Sequence, residues 1–207
     1  FCQLATKNLL EGKKVTQSLT FRLEDDDEES DVTEGNISVS GVQEKLSAVE
    51  DNGMIRRTRQ GEKGKYILKP APAYRLKFRK QIPANEHLTM QIARQVYGIN
   101  TADNGIIFFS DEQPAYITKR FDVKPDNTKI AQEDFASLTK KTKETNGDNY
   151  KYSGSYEDIA IKIKETVAAW QIEMERFFKL VIFNYLLSNG DAHLKNFSVH
   201  QTEDGDY

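Results

Sequence analysis

The chain has 207 residues, a net charge of −3 and a pI of about 5.7, so bulk electrostatics give no reason to expect direct nucleic-acid binding. Hydrophobic residues make up 38% and charged residues 29%, a balance that excludes both a membrane protein and wholesale disorder. A single cysteine, Cys2, excludes an internal disulfide, and the three dispersed histidines (His87, His193, His200) lack zinc-type partners; a reducing, cytoplasmic setting is the expectation.

Residues 1–36 are weakly patterned, and the run "EDDDEESD" (24–31) reads as a solvated acidic tether. From Asn36, "NISVSG", "EKLSAVED" and "GKYILKP" read as three strands, with turns at 51–53 and 61–64. The cluster Arg56, Arg57, Arg59, Lys63, Lys65 suits a solvated hairpin, with an acidic-partner or tRNA-bearing surface as the second reading. A basic loop follows, with Arg75, Lys77, Arg79 and Lys80. "PANEHLTMQIARQVYG" reads as a helix opened by Pro83 and stopped by Gly98, with Leu88, Ile92, Val96 and Tyr97 on one face. "NGIIFFS" and "PAYITKRFD" read as two more strands.

The texture then turns helical. "QEDFASLTK" is a short helix, 140–154 a polar loop, and "SYEDIAIKIKETVAAW" a helix with a serine cap and an acidic first turn. "QIEMERFFKLVIFNYLLSN" is apolar nearly all round in its second half, which predicts burial in a helical core; its longest apolar stretch, 177–187, is interrupted and too short to span a bilayer. "NFSVHQ" reads as a strand and "TEDGD" as a turn. A strand-rich part followed by a helical part predicts an α+β, two-lobed architecture divided as 1–36, 37–122 and 123–207.

The chemistry concentrates in "SNGDAHLKNFSVH" (188–200), where Asp191 and Asn196 stand at D-x4-N spacing. In a kinase catalytic loop such an Asp accepts the substrate hydroxyl proton, and the Asn holds a magnesium ion. Taken alone, the spacing fits a solvated helix stop as well. Lys69, near the end of the third strand, and Glu86, in the following helix, stand in the order of the kinase lysine–glutamate pair. No G-x-G-x-x-G is present; "SVSGVQEK" offers Gly41 and small serines as a phosphate loop.

Together, "SVSGVQEK", "YILKP", "NEH", "KRFD", "QEDF" and "NGDAHLKNFS" resemble the HipA family of bacterial toxin Ser/Thr kinases over roughly residues 36–200. The resemblance implies a protein-kinase-like fold using ATP and Mg²⁺, with a strand-rich nucleotide-binding lobe and a helical lobe. It implies Asp191 as catalytic base, His193 and Lys195 near the γ-phosphate, Asn196 as metal ligand and Lys69 as the phosphate lysine. "KRFD" resembles the hinge, with Lys119 and Phe121 at the adenine and Asp122 at the ribose. Ser40 and Gly41 fall in the phosphate loop. Ser38 matches the autophosphorylated regulatory serine, and Ser40 the second serine of short members.

The resemblance further implies an aminoacyl-tRNA synthetase as substrate and a helix-turn-helix antitoxin as partner. The short branch implies a separate small protein supplying an N-terminal domain. Two departures stand out. The family's second metal ligand is an Asp past the end of this chain, so the expectation is a kinase truncated inside its active site, and the start at Phe1 reads as a processed, tagged or partly resolved product; Asp204 and Asp206 lie in a glycine turn and are poor replacements. The alternative function is a nucleotide-binding pseudokinase or interaction module.

Overall fold

The computed structural model describes residues 9–23, 44–72, 77–124, 126, 128–202 and 204–207. The chain forms two compact units, Phe1–Val123 and Lys124–Tyr207.

In the first unit, β1 (Leu46–Asp51), β2 (Met54–Arg57), β3 (Tyr66–Pro70), β4 (Asn104–Phe108) and β5 (Pro114–Lys119) form an antiparallel sheet in the order β2-β1-β3-β5-β4. The turn between β1 and β2 is Asn52-Gly53, both at positive φ (51° and 78°), the pairing a tight hairpin requires. β2 is a strand that the sequence reading omitted. "NISVSG", the acidic run, Ser38, Ser40 and Gly41 lie outside the described residues.

Side chains alternate across the sheet. Leu68, Ala115 and Ile117 join Leu9, Leu10, Leu19, Ile55 and Phe109 in one apolar core. Residues 9–23, weakly patterned in sequence, therefore supply part of that core. They also pair with the sheet edge, where the Leu19 amide donates to the Phe108 carbonyl (2.7 Å) and the Phe108 amide to the Gln17 carbonyl (2.9 Å).

The other face carries Lys69, Tyr116 and Asn104, and α1 (Ile82–Gln95) packs along β4 and β5. The expected apolar stripe of α1 does not face the sheet: Leu88 and Val96 are exposed, and Gln91 and Ala93 are buried. What seats the helix is polar. Asn104, fully buried, accepts at Oδ1 from His87 Nδ1 (2.8 Å) and Gln91 Nε2 (3.1 Å), and donates from Nδ2 to the Ala102 carbonyl (2.8 Å). The helix ends with Val96 as its cap, before Gly98 at φ 62°.

Two arginines of the 56–65 cluster, Arg56 and Arg57, are engaged within this unit. Arg56 binds Asp51 (2.8 Å) and Glu62 (2.8 and 3.0 Å), and Arg57 lies over the Phe21 ring (4.8 Å) with its guanidinium on the Arg22 and Leu23 carbonyls. The Arg56 fork holds the Glu62 carboxyl down at about 2.

In the second unit, β6 (Gln132–Asp134) pairs with β7 (Ser198–His200), and the short helices α2 (Phe135–Leu138) and α3 (Lys143–Asn146) precede α4 (Tyr156–Thr166) and α5 (Trp170–Leu186). α4 opens on a reciprocal capping box between Ser155 and Asp158, as its serine cap predicts. Phe135, Ile159, Ile163, Leu194, Phe197 and Val199 form the core, with Phe177 and Leu180 of α5 packed against it. The expectation of a buried α5 is corrected. Only Phe183 is buried, whereas Phe178, Ile182, Tyr185 and Leu186 are exposed. Of the longer described helices α4 packs beside α5, and a single helical neighbour covers one stripe. No helix among the described residues is long and apolar enough to cross a membrane.

Candidate active site

Among the described residues, those expected to carry chemistry lie in both units, with Lys69 and Glu86 in the first and Asp191, His193, Lys195 and Asn196 in the second. In the first, β3 alternates so that Tyr66, Leu68 and Pro70 turn inward and Lys69 turns to the α1 face. There Lys69 Nζ is ion-paired with Glu86 Oε1, each side chain about three-quarters buried, and sits 5.3 Å from the centroid of the Tyr116 ring, its cross-strand neighbour. Burial, reinforced by the Glu86 charge, pushes the Tyr116 hydroxyl well above its ordinary range, so it stays protonated. Glu86 lies beyond the first turn of α1, since the helix begins at Ile82. Its partner is therefore the lysine rather than the helix N-terminus.

The "KRFD" residues close this unit. Lys119 pairs with Glu11 (2.6 Å), the Phe121 ring is exposed, and Asp122 receives a two-pronged contact from Arg120 Nε (2.9 Å) and Nη2 (2.5 Å). The lysine side chain thus points to residues 9–23, and its backbone amide donates to the Asp103 carbonyl (2.8 Å).

In the second unit, residues 188–197 form a short loop and a 3₁₀ turn, Leu194–Asn196, anchored by buried Leu194. The Asn196 side-chain amide donates to the Asp191 carbonyl (2.6 Å), closing the D-x4-N segment on itself. That bond uses the amide nitrogen, and the amide oxygen of this exposed residue is an acceptor. The Asp191 amide is held by Asn189 Oδ1 (3.2 Å), and Asn189 by Asn184 at the end of α5 (3.1 Å). The Asp191 side chain remains 71% exposed.

Three further side chains surround it. Tyr152 Oη donates to Asp191 Oδ1 (3.0 Å). His193 Nε2 stands 3.7 Å from the same oxygen, and its ring meets Tyr152 edge to face at 5.0 Å. Burial pushes the His193 imidazole below its ordinary 6.5 despite the nearby Asp191 charge, so it is neutral at pH 7. Its Nδ1 is buried without a hydrogen-bond partner. Lys195 turns away to Asp134 Oδ2 (2.9 Å), whose other oxygen caps α2 through the Ser137 amide (2.9 Å). The hydrogen bond to Asp134 raises the Lys195 ammonium. Lys195 is accordingly a strut between the loop and β6 in this structure.

A magnesium ion takes few protein oxygens and completes its shell with water and phosphate. The amide oxygen of the exposed Asn196 fits as one such ligand by its chemistry. Among the described residues no group of three or more His, Cys, Asp or Glu could hold a metal ion, and Asp204 and Asp206 form none.

The family described as HipA-like C-terminal domain matches residues 37–207. The chain belongs to that family. It is similar to a protein of Haemophilus influenzae named "Putative kinase", with 32% identity over 172 residues covering 78% of this chain and 47% of that protein. It is also similar to "Putative kinase Y4dM" of Sinorhizobium fredii, with 28% identity over 179 residues, 78% of this chain and 40% of that one. The chain thus spans less than half the length of these curated relatives. Among solved structures it resembles HipA of Shewanella oneidensis MR-1, determined with HipB and operator DNA, at a TM-score of 0.59 and 23% identity over 90% of this chain and 44% of that one. The fold is therefore the α+β HipA kinase-like fold.

The sequence reading did not include Tyr152, Asn104 or Gln91. Tyr152 lies in a stretch read as a polar loop; its only signal was an aromatic pair, Tyr150 and Tyr152, inside a Gly/Asn-rich run.

Proposed function

We propose that this chain carries the nucleotide and catalytic machinery of a HipA-type Ser/Thr protein kinase that uses ATP and Mg²⁺. The observation that carries the reading is the self-closed Asp191–Asn196 loop: the Asn196 amide nitrogen donates to the Asp191 backbone carbonyl, and the Asp191 carboxylate stays exposed. When bound, Mg²⁺ would supply neutralisation of phosphate charge, with Asn196 among its ligands. Lys69, fixed by Glu86, would meet the ATP phosphates. Asp191 would orient the acceptor serine and take its proton. The serine oxygen bonds to the γ-phosphorus, the bond from that phosphorus to the bridging oxygen breaks, and the electron pair leaves on ADP.

An aminoacyl-tRNA synthetase as substrate, a helix-turn-helix antitoxin as partner, and a small protein supplying a further domain follow the family resemblance. So does autophosphorylation at Ser38 or Ser40. A phosphate there adds about two negative charges where ATP phosphates would sit, which opposes nucleotide binding. The cytoplasm is the matching compartment.

The test is transfer of radiolabelled γ-phosphate by the full-length protein. Wild type transfers and Asp191→Ala does not; equal transfer by both overturns the kinase reading and leaves a nucleotide-binding module. Ser38→Ala removes the phosphate seen by intact mass, and its persistence moves the site to Ser40 first.

A further inference from the structure

The turn Tyr150–Tyr152 and Gly154, two residues further on, form a built contact with the catalytic loop, and no motif in the sequence pointed to it. Three observations converge. The Tyr152 hydroxyl donates to Asp191 Oδ1 at 3.0 Å, and no other side-chain hydrogen bond reaches that carboxylate among the described residues of this unit. The Tyr152 ring also walls the neutral His193, edge to face at 5.0 Å, while the Lys151 ammonium lies 5.0 Å from the centroid of the same ring. Gly154 lets the turn approach: a Cβ there would fall 2.7 Å from Leu194 Cδ1 and 3.1 Å from its Cγ, inside contact distance of the residue that anchors the loop.

We infer that Tyr152 is a positioning residue for Asp191, a role that rests on the kinase reading above. The phenol occupies Oδ1 and so leaves Oδ2 as the oxygen that meets the acceptor hydroxyl. A carboxylate on an exposed loop otherwise rotates between staggered side-chain states. A base must lie within hydrogen-bond reach of the proton it removes, so a rotated carboxylate is an idle one. An O–H donor fixes the carboxylate without bringing a countercharge. A lysine or arginine at this place would fix it and blunt it as a base.

The hydroxyl and the ring can be separated. Tyr152→Phe keeps the ring against His193 and loses only the donor; Tyr152→Leu loses both. In the full-length chain, transfer of radiolabelled γ-phosphate to its own serines is followed over a range of ATP concentrations, beside thermal unfolding. The expected result for Tyr152→Phe is a rate at saturating ATP lower by about 10- to 100-fold. The ATP concentration for half-saturation and the unfolding midpoint stay at the wild-type values. Tyr152→Leu loses rate and lowers the midpoint as well. A Tyr152→Phe protein that transfers at the wild-type rate overturns the inference and leaves Tyr152 as packing. Loss in Tyr152→Phe that tracks a lowered midpoint also overturns it. If wild type and Asp191→Ala transfer equally, the kinase reading falls and the inference with it, an outcome distinct from failure of Tyr152 alone.

Discussion

Lys69 and Asp191 are single charges of opposite sign, one in each unit, and their surroundings differ in kind. Lys69 is already neutralised by Glu86, about three-quarters buried, and carried on a strand in the middle of a five-stranded sheet. Asp191 is 71% exposed; its carboxylate accepts from the Tyr152 phenol and its backbone amide donates to Asn189 Oδ1, and neither contact brings a countercharge. A fixed cation needs a partner to sit in a half-dry place at all, because an unpaired buried charge is costly. A base needs the reverse, since a firm ion pair would lower its affinity for the proton it must take. The same logic separates Asp191 from Lys195, which is on the same loop yet paired with Asp134.

The comparison can be broken first at its chemical ends. Asp191→Ala is expected to lower the transfer rate about a thousandfold with ATP affinity kept. Lys69→Met is expected to lower it about a hundredfold and to weaken ATP as well, measured by nucleotide titration beside the rate. Equal ATP affinities in the two variants would remove the distinction drawn between them.

It can be sharpened next at the support of Glu86. Asn104→Leu strands the Nδ1–H of His87 and the Nε2–H of Gln91, so it is expected to destabilise the Phe1–Val123 unit by about 2–3 kcal/mol in urea unfolding. Lys69→Met should leave α1 seated, because the polar network rather than the ion pair locates the helix. Comparable losses of helix signal in both variants would reverse that assignment.

The smallest expected effect is the pH dependence of the Lys195–Asp134 strut. Burial alone would raise the Asp134 carboxyl, but Lys195 and the Ser137 amide outweigh it and hold it below its ordinary 3.8. The sign follows: the strut stabilises fully above pH 3.8 and is lost as the pH falls below it. Lys195 is 42% exposed, so solvent screening limits the contribution to about 1 kcal/mol or less. An acid titration of stability in wild type and Asp134→Asn measures it; parallel curves would show the strut to be idle.

Much of this was legible from local pattern. Strands with alternating apolar residues, the Ser155 cap, and the Lys69, Glu86 and Asp191–Asn196 spacings all depend on neighbours close in the chain. The parts that were not legible depend on what the fold brings near. Leu88, Ile92 and Val96 lie on one helical face, yet α1 is seated by His87 and Gln91 because a buried Asn104 waits on β4. Arg56 and Arg57 disguised β2: Arg56 is paired with Asp51 and Glu62, and Arg57 lies over Phe21 with Nη2 on nearby carbonyls. Tyr152 meets Asp191 across 39 positions, a distance no periodicity reports.

The bare stripe on α5 has a calorimetric consequence. Phe178, Ile182, Tyr185 and Leu186 already meet solvent in the folded chain. Unfolding Lys124–Tyr207 therefore wets less new apolar surface than its length implies. The heat-capacity increment, ordinarily about 12–15 cal/mol/K per residue, should fall short of that range, and the denaturant slope should be correspondingly shallow. Whatever covers this stripe in a larger assembly would restore both.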